Sequence, residues 1–591
     1  MLHTKRNNVL GAIGRKVRRP VVVMMAALLF SAVAPAWAQP SVSNAGLYQS
    51  RQQDTLKHQR DQLQQIEQSK PFVLDEEESG EPVSRTPSSP VGVKCIPIER
   101  IDISGNAALT AKELSEGLKQ YEHRCLTPLE LDDVRRDVTL QYIGKGFLTT
   151  KVYFGEQRLS PRRQNTLKLT VVEGKVEDIS SDVLSDSELW TLFPDKSGVL
   201  NIRDLEQMQD HLSRLNTIRT SVDVAPGSVL GTSRIDVKGN RAFPLEVGVE
   251  YNNDGQKSTG RHRAVWEVSY DSPLGMADKL SLSGEKSLDD LNDEGSLENL
   301  GVSYSIPFGW WLLSYTYQTQ EAKVPLSVAN VLEFENTGKS TFQQLRFDRV
   351  VQRDGNGKTS VMGGVNRVES DNFIENIKLD LSSFDLTEAV FGLSRSGYLG
   401  NARYYSSLNW AKSINDLGAD HENAEQLGDV ELSYDRYNMA GSLLYPWFVA
   451  ENSYITYETL LVAQYSDDLL PNPVKFSAGG SASIRGFRDQ LASSSTGVYS
   501  RNQASFVHRP QAIAGWVGMI DSAYVGVGYD IGYAKGELYN DDYSGRLSSV
   551  SSTMGLKGGG LSLEITYAKS LDHPGGFKDE DPLYFKLGYD I

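Results

Sequence analysis

The larger, C-terminal part of the chain alternates apolar and polar residues. From about Asn240 onward, segments of about ten residues are separated by clusters of Gly, Asn, Asp and Ser, a spacing typical of barrel strands. Side chains along a strand point alternately to its two faces, so the pattern predicts strands with one apolar face. The clearest segments are 245–251, 264–270, 279–283, 312–317, 454–463 and the final 583–591.

The number of these segments predicts a closed barrel. About 350 residues, at about 20–22 per strand with its connection, give about 16 strands. No segment after the N-terminus approaches an apolar stretch long enough for a membrane helix, whereas a barrel crosses a bilayer with strands that are only alternately apolar. We therefore predict a transmembrane β-barrel over residues 241–591. A soluble array of β-sandwiches is the alternative, which the export signal described below and the C-terminal strand disfavour.

Before the barrel, helical and strand patterns occur in the same order twice. Segments 96–103, 110–121, 129–143, 149–154 and 167–172 read β-α-α-β-β, and Thr110 with Glu113 forms a capping box. Segments 176–179, 187–192, 202–215, 220–224 and 233–237 repeat that order. Two tandem α+β domains are therefore predicted, over residues 95–173 and 174–240.

The N-terminus has the pattern of an export signal. A basic region is followed by an apolar run over residues 21–34 and by Ala36-Trp37-Ala38, a small-x-small cleavage pattern. The run is shorter than the about 20 residues that a membrane helix needs. We interpret residues 1–38 as a signal peptide, with an uncleaved signal anchor as the alternative.

Two polar segments separate this signal from the first α+β domain. Residues 39–70 are rich in Gln, Arg, Lys and Glu, without Gly or Pro after Leu47, which favours a helix with a thin apolar face. Such a helix suits a barrel lumen or free solvent. Residues 71–94 contain four prolines and several serines, which is typical of a flexible linker that would let the helix move.

Charge and cysteine content limit the chemistry. The formal net charge of −16 over 591 residues argues against a nucleic-acid partner. The two cysteines, Cys95 and Cys125, form an even pair in an exported chain, which favours a disulfide over two buried thiols. Neither their spacing nor the eight histidines fit a metal site, and we expect no cofactor. No complete enzyme motif occurs, so we predict no catalytic residues and no enzyme activity.

Three motifs carry a resemblance to a known family. They are Phe476-Ser477-Ala478-Gly479-Gly480 with Ser483-Ile484-Arg485-Gly486-Phe487, then Gly528-Tyr529-Asp530-Ile531-Gly532, and Asn201-Ile202-Arg203-Asp204-Leu205. With the order of segments, they resemble the TpsB transporters of two-partner secretion, of the FhaC, ShlB, HecB and CdiB types. Ile484 stands where the family usually has Val.

The resemblance implies a fold and a function. The fold would be an N-terminal plug helix and two periplasmic POTRA domains, followed by a 16-stranded antiparallel barrel in the outer membrane. The function would be secretion of an unfolded exoprotein with an N-terminal secretion domain: a contact-dependent inhibition toxin, a cytolysin or haemolysin, an adhesin or a haem-acquisition protein. Some relatives also activate their client. We expect a monomer in contact with outer-membrane lipids, because a closed single-chain barrel has no free edge.

The resemblance also implies a site inside the barrel. The loop around 476–490 would fold into the lumen, and Arg485 would offer a planar donor fork to Asp530. The neighbouring Gly479, Gly480 and Gly486 would permit unusual backbone conformations or close approaches, while Phe487 would pack against the wall. An ordinary surface arginine in a glycine-rich loop is the alternative.

The POTRA domains are expected to bind the client. An exposed strand edge can accept an extended polypeptide as an added strand. The edges we predict are Val152-Tyr153-Phe154 and Val222-Asp223-Val224; purely structural spacer domains are the alternative. Two other functions also stay open, namely a BamA-like assembly factor for barrels and a passive porin or surface adhesin.

Overall fold

The computed structural model describes residues 45–68, 95–194, 198–289, 295–328, 332–420, 430, 432–510, 520–537 and 544–591. The predicted signal peptide, 1–38, and linker, 71–94, lie outside this part of the chain. None of the described helices is both long and apolar enough to span a bilayer.

The first described element is a polar helix, α1 (Ala45–Gln68). An α+β unit follows, whose strands are β1 (Ile96–Ser104), β2 (Arg124–Leu126), β3 (Lys151–Phe154) and β4 (Asn165–Val172). Its helices are α2 (Ala111–Leu118) and α3 (Pro128–Gly144). The predicted capping box of Thr110 with Glu113 is confirmed, and Thr127 with Glu130 forms a second one. Strand β2, which contains Cys125, was not predicted.

A second α+β unit repeats this topology. It consists of β5 (Lys175–Ser181), α4 (Asp186–Leu192), α5 (Ile202–Leu212), β6 (Ile218–Pro226) and β7 (Thr232–Arg241). In both units the first long strand pairs parallel with the last strand, and the strand between them pairs antiparallel with that last strand. Helix α5 ends three residues before the predicted end, because the chain turns at residues 213–214.

Each unit has its own core, which the helices and one sheet face build together. In the first, Leu114 and Val134 pack on Leu167 with other buried apolar residues. In the second, Leu205 and Met208 of α5 pack on Ile235. The apolar positions that recur along α5 at helical spacing therefore face its sheet, and its polar positions are left for other contacts.

The rest of the described chain forms a closed antiparallel barrel of sixteen long strands, as predicted. The strands are β8 (Leu245–Asn252), β9 (Arg263–Asp271), β10 (Lys279–Ser287), β11 (Ser296–Phe308), β12 (Trp311–Val328), β13 (Leu332–Asp354), β14 (Gly357–Ile374), β16 (Phe384–Leu399), β17 (Ala402–Ser413), β18 (Asp435–Ala450), β19 (Ser453–Tyr465), β22 (Gly497–His508), β23 (Ser522–Ala534), β24 (Gly545–Gly558), β25 (Leu561–Asp572) and β26 (Leu583–Asp590). Three short strands complete the set: β15 (Ile377–Lys378), β20 (Phe476–Ala478) and β21 (Ala492–Ser494).

The last strand closes the barrel against the first. Strand β26 pairs antiparallel with β8, from Lys586 opposite Asn252 to Asp590 opposite Gly248. Along β26, the side chains of Leu583, Leu587 and Tyr589 are exposed, whereas that of Tyr584, which follows Leu583, is buried. The predicted alternation is thus confirmed, with apolar side chains outside and polar or buried ones inside.

The second α+β unit is docked on the turns at one end of the barrel. Asp210 of α5 forms ion pairs with Arg353 and Lys358, which flank the β13–β14 turn, at 2.9 and 2.5 Å. His211 Nε2 lies 2.8 Å from the carbonyl oxygen of Gly309 in the β11–β12 turn. Because these polar groups are buried between the two bodies, the second unit is held in one orientation against the barrel.

Candidate functional site

Between β19 and β22 the chain folds back into the barrel. Strands β20 and β21 form a hairpin whose six residues are all buried, and the segment between them contains Arg485. We call residues 476–494 the lumen loop. Its tip reaches strand β23, where Tyr529 is 41% exposed on the outer face and Asp530 is fully buried on the inner face.

Arg485 and Asp530 form a bidentate pair inside the barrel. Arg485 Nε donates to Asp530 Oδ2 at 2.9 Å, and Nη2 donates to Oδ1 at 2.7 Å. The backbone N–H of Arg485 donates to the same carboxylate at 3.0 Å. The side chains are 2% and 0% exposed. Such a buried, two-pronged contact fixes both the position and the orientation of the loop tip.

Neighbouring residues occupy the remaining hydrogen-bonding groups of this pair. Arg485 Nη1 donates to Gln503 Oε1 at 2.6 Å, and the Ser549 hydroxyl donates to Asp530 Oδ2 at 3.2 Å. The Tyr584 hydroxyl donates to the carbonyl oxygen of Arg485 at 2.9 Å. Strands β22, β24 and β26 therefore all hold the loop tip, in addition to β23.

Close packing explains two glycines of the motifs. A Cβ at Gly528 would lie 2.2 Å from Arg485 Nη2, and a Cβ at Gly486 would lie 2.5 Å from Ser549 Cβ. The loop can therefore approach the wall only where these positions have no side chain. Gly479 and Gly480 serve a different purpose, because their φ angles of +124° and +88° are ones that other residues rarely adopt.

Apolar residues of the loop fill the space beside the ion pair. Phe487 is fully buried, with its ring centroid 5.8 Å from that of Phe577 in the β25–β26 connection. Ile484 is also fully buried, in the same cluster as Phe487 and Leu547 of the wall. The contact that we predicted between Phe487 and the barrel thus involves a connection as well as the strands.

Helix α1 lies inside the same barrel and touches the loop. Gln52 is 5% exposed, and its Nε2 donates to the carbonyl oxygen and the hydroxyl of Ser477 at 2.9 and 2.8 Å. The Ser483 hydroxyl donates to Gln52 Oε1 at 3.3 Å. One glutamine therefore joins the helix to both sides of the loop.

Further polar contacts of α1 are spread around the wall. Lys57 pairs with Glu267 on β9, Arg60 lies 3.6 Å from Glu458 on β19, and Gln318 on β12 donates to Asp54 at 3.1 Å. The ion-pair side chains are between 31% and 54% exposed. A helix that reaches strands on several sides of the barrel occupies its lumen, and these contacts lie in open space that water can enter.

Burial and neighbouring charges shift the pKa values of two α5 side chains at the docked unit, Asp210 and His211. Burial by itself would raise the pKa of Asp210, but Lys358 and Arg353 outweigh burial and hold the pKa of this carboxyl well below its ordinary value. For His211, burial and the nearby Arg214 lower the pKa to about 3. Asp210 is thus an anion and His211 neutral at physiological pH, which suits an ionic anchor and a neutral hydrogen-bonding group.

Both predicted client-binding segments lie at sheet edges. Strand β3 is the last strand of the first sheet, where Tyr153 and Phe154 are 42% and 44% exposed and Val152 is buried. Strand β6 is the last strand of the second sheet; Asp223 pairs with Lys238 of β7, and Val222 and Val224 pack on the core.

The outer edge of β6 has free backbone groups in the described chain. Gly227 donates to Thr232 and Ala242 donates to Thr217, so every odd-numbered residue of β6 bonds to β7. The N–H and C=O groups of Thr220, Val222 and Val224 therefore point away from the sheet.

The structure also joins Cys95 and Cys125, across the ends of β1 and β2, in a disulfide.

Several contact residues were not found from the sequence. Strand alternation shows that Gln503, Ser549 and Tyr584 could face the lumen, but not that they meet Arg485. Gln52 resembles the other glutamines of α1, so nothing in the pattern distinguishes it. Among the residues that the structure describes, no group of three or more His, Cys, Asp or Glu side chains is placed to hold a metal ion.

Comparisons with known proteins agree on one family. Residues 231–558 match the model of the haemolysin secretion/activation proteins ShlB/FhaC/HecB, and residues 96–174 match a ShlB-type POTRA domain. The outer membrane transporter CdiB of Escherichia coli O6:K15:H31 (strain 536 / UPEC) is 27% identical, over 89% of this chain and 87% of that protein. The hemolysin transporter protein HpmB of Proteus mirabilis is 27% identical, over 90% and 92%.

A solved structure supports the same assignment. That of CdiB from Escherichia coli superposes with a TM-score of 0.82 and 25% sequence identity, and the match covers 94% of this chain and 100% of that chain. The similarity therefore includes the barrel and the units that precede it.

Proposed function

This chain belongs to the family of haemolysin secretion/activation proteins ShlB/FhaC/HecB, and from that premise we propose that it is an outer-membrane translocator for a partner exoprotein. The client is unfolded in the periplasm and leaves for the cell surface or the medium. The observation that carries the proposal is a closed barrel with a POTRA-bearing region docked on the turns at one end. The barrel lies in the outer membrane, and the POTRA domain lies in the periplasm.

The N-terminal region would deliver the client to the barrel. We take the second unit for a POTRA domain as well, because its strands pair with the same topology as those of the first. The free edge groups of β6 and the exposed Tyr153 and Phe154 of β3 support capture of an extended chain by strand addition. Since α5 anchors the second unit to the barrel turns, a client on β6 is held at the barrel mouth.

Helix α1 would plug the lumen at rest and leave it for transport. Two features support this role: the side chains of its ion pairs with the wall are between 31% and 54% exposed, and residues 71–94 have the composition of a flexible linker. The lumen loop would stay as the fixed part of the conduit. The chain contains no nucleotide-binding motif and needs no reaction chemistry of its own in this scheme, so folding of the client outside would drive its export.

The barrel exterior fits a lipid environment. Exposed apolar residues such as Val525, Val527 and Leu587 alternate with inward-facing residues on strands of the wall. These side chains would meet the outer-membrane lipids, and a single chain would form the whole conduit as a monomer.

Co-expression tests this function. The chain is expressed in a laboratory Gram-negative host with a large exoprotein encoded beside it, and the client is measured in the medium. We expect client outside the cell only when the chain is present. Client retained in the periplasm beside a properly assembled barrel would contradict translocation of this partner. Large conductance without export after deletion of residues 41–70 would instead support a passive porin.

A further inference from the structure

The ladder that closes the barrel is the shortest one between long strands of the described wall. Strands β26 and β8 are joined by five residue pairs, whereas the neighbouring ladders β25–β26 and β8–β9 have seven and eight, and β13–β14 has eighteen. Backbone hydrogen bonds extend this ladder by one position at each end, between Val247 and Ile591 and from the N–H of Asn253 to the carbonyl oxygen of Phe585. Past them, Asn253 Nδ2 donates to the carbonyl oxygen of Leu583 at 2.9 Å. A short ladder has few backbone hydrogen bonds to resist separation of its strands.

Two consecutive residues of the lumen loop touch opposite sides of this junction. Arg488 donates through Nη2 to the carbonyl oxygen of Leu583 on β26, and its guanidinium lies 4.5 Å from the ring centroid of Tyr584. Asp489 accepts from Arg261 Nη2 at 2.7 Å and from the N–H of Lys257 at 2.8 Å. Both of the latter residues belong to the β8–β9 connection.

The same part of the loop is also fixed to the β25–β26 connection. Glu580 accepts through Oε2 from the N–H of Arg488 at 2.6 Å and from that of Asp489 at 3.2 Å. Gln490 Nε2 donates to Glu580 Oε1 at 2.5 Å and to the carbonyl oxygen of Lys578 at 2.8 Å. The side chain of Arg488 is mostly buried, so its contacts are shielded from water.

We propose that Arg488 and Asp489 are positioning residues through which the lumen loop clamps the β26–β8 junction. While the loop lies in the lumen, one of them holds the last strand and the other holds the connection that follows the first strand. Withdrawal of the loop removes both contacts together and leaves the short ladder alone. The position of the loop and the strength of the closing ladder are therefore coupled, independently of any client.

A cross-linked junction gives the direct test. Val247 and Ile591 exchange both backbone hydrogen bonds, so the next pair, Gly248 and Asp590, is a non-hydrogen-bonded pair with close Cα atoms. The nearest atom to a Cβ at Gly248 is the Asp590 carboxylate, which the second substitution replaces. The double variant Gly248→Cys with Asp590→Cys can therefore close a disulfide across the junction.

The measurement is the temperature at which the full-length barrel in detergent loses its SDS-resistant form. We expect the variant Arg488→Gln with Asp489→Asn to melt about 2–4 °C below the wild type. A protein that carries both these substitutions and the oxidised cross-link should melt at the same temperature as the cross-linked protein in which Arg488 and Asp489 are intact. Reduction of the cross-link should restore the difference, and wild type with and without reductant corrects for the native Cys95–Cys125 bridge.

A matched arginine elsewhere serves as the control. The guanidinium of Arg509 lies 5.3 Å from the ring centroid of Tyr454, beside the thirteen-pair β18–β19 ladder, and Arg509→Gln should leave the cross-link dependence unchanged. Equal melting of the clamp variant and the wild type would overturn the proposal. So would a loss of stability that persists with the oxidised cross-link, because it would arise from loop packing rather than from the junction.

Discussion

Two segments of the chain occupy the barrel lumen, and they are held in different ways. The lumen loop is anchored by Arg485 and Asp530, whose side chains are 2% and 0% exposed. Helix α1 relies on ion pairs such as Lys57 with Glu267, whose side chains are 54% and 42% exposed. The two segments therefore differ in the burial of their ion pairs, which supports the proposal that the loop stays in the lumen and the helix leaves it.

The free energies expected for buried and for exposed ion pairs support this difference between the loop and the helix. Removal of one member of a buried ion pair costs about 3–5 kcal/mol, because the other charge stays buried without its partner. An exposed ion pair contributes about 0.2–1 kcal/mol and is screened by salt. The exposed ion pairs of α1 are thus individually weak, whereas Gln52 joins the helix to the fixed loop through buried hydrogen bonds. The following predictions test this contrast, in order of expected effect.

The largest effect is expected at the loop anchor. Arg485→Ala leaves Asp530 buried without its cation and should destabilise the docked loop by about 3–5 kcal/mol. We expect the barrel to assemble but secretion of the partner to fall, which an export assay and SDS resistance measure together. Unchanged export by the assembled variant would contradict a fixed role for the loop.

The next effect concerns the docked α+β unit, whose anchor is buried like that of the loop. Asp210→Asn removes the charge that Arg353 and Lys358 share and should weaken docking by about 1.5–3 kcal/mol. Hydrogen exchange of the α5 amides should become faster. Asp223→Asn, in an ion pair whose two side chains are 58% and 60% exposed, is the control and should have little effect.

The pH dependence of this anchor has a definite sign. Because the pKa of Asp210 is lowered in the docked state, its contribution is fully present above the ordinary pKa of a free aspartate, about 3.9. It is lost only as the pH falls through the lower docked value. The Asp210 contribution should therefore be constant from about pH 5 to 8. Buried His211 is neutral when docked but can bind a proton when released, so docking of the wild type should weaken as the pH falls below about 6.5. In the variant His211→Gln docking should be constant across that window, and a loss there would contradict the ionic anchor.

A smaller effect is expected at the link between helix and loop. Gln52→Ala removes hydrogen bonds to Ser477 and Ser483 that are worth about 1 kcal/mol, which should raise the population of released helix about fivefold. More frequent open events in single-channel conductance measure this change. Gln53→Ala is the neighbouring control, and equal conductance for both variants would argue against Gln52 as the link.

The smallest effect is expected at the exposed pairs of α1. Lys57→Gln should change helix release by less than about 1 kcal/mol, and the difference should shrink as ionic strength rises. Conductance at low and high salt provides the comparison. If Lys57→Gln had an effect as large as Arg485→Ala, the contrast between fixed and releasable segments would fail.

Much of the fold follows from local patterns. The alternation in 583–591 predicts an outward apolar face because strand side chains have a period of two, and Thr110 with Glu113 predicts a helix start because their contact spans only three residues. Strand β2 was missed because its three residues lack a repeating pattern, although they contain Cys125.

The site was predicted only as far as motifs and carboxylate chemistry allow. Arg485 and Asp530 could be matched through resemblance, whereas Gln503 and Tyr584 could not, since strand alternation places a residue inside the barrel without giving its neighbour there. Gln52 meets a hydroxyl 431 positions away. Such a contact depends on where the helix lies within the lumen, which no local pattern encodes.

The sequence by itself thus determined the alternation of the barrel strands, the helix starts, the even cysteine pair and the motif of the loop, because each depends on residues close in the chain or on a recognisable order. Only the tertiary structure decided which charges are buried and which are exposed to solvent. It also decided that the β26–β8 ladder has five residue pairs and that Arg488 and Asp489 lie across it. The physical reason is closure. Register and tilt around the whole barrel fix where its ends meet, and that geometry exists only when all strands are in place.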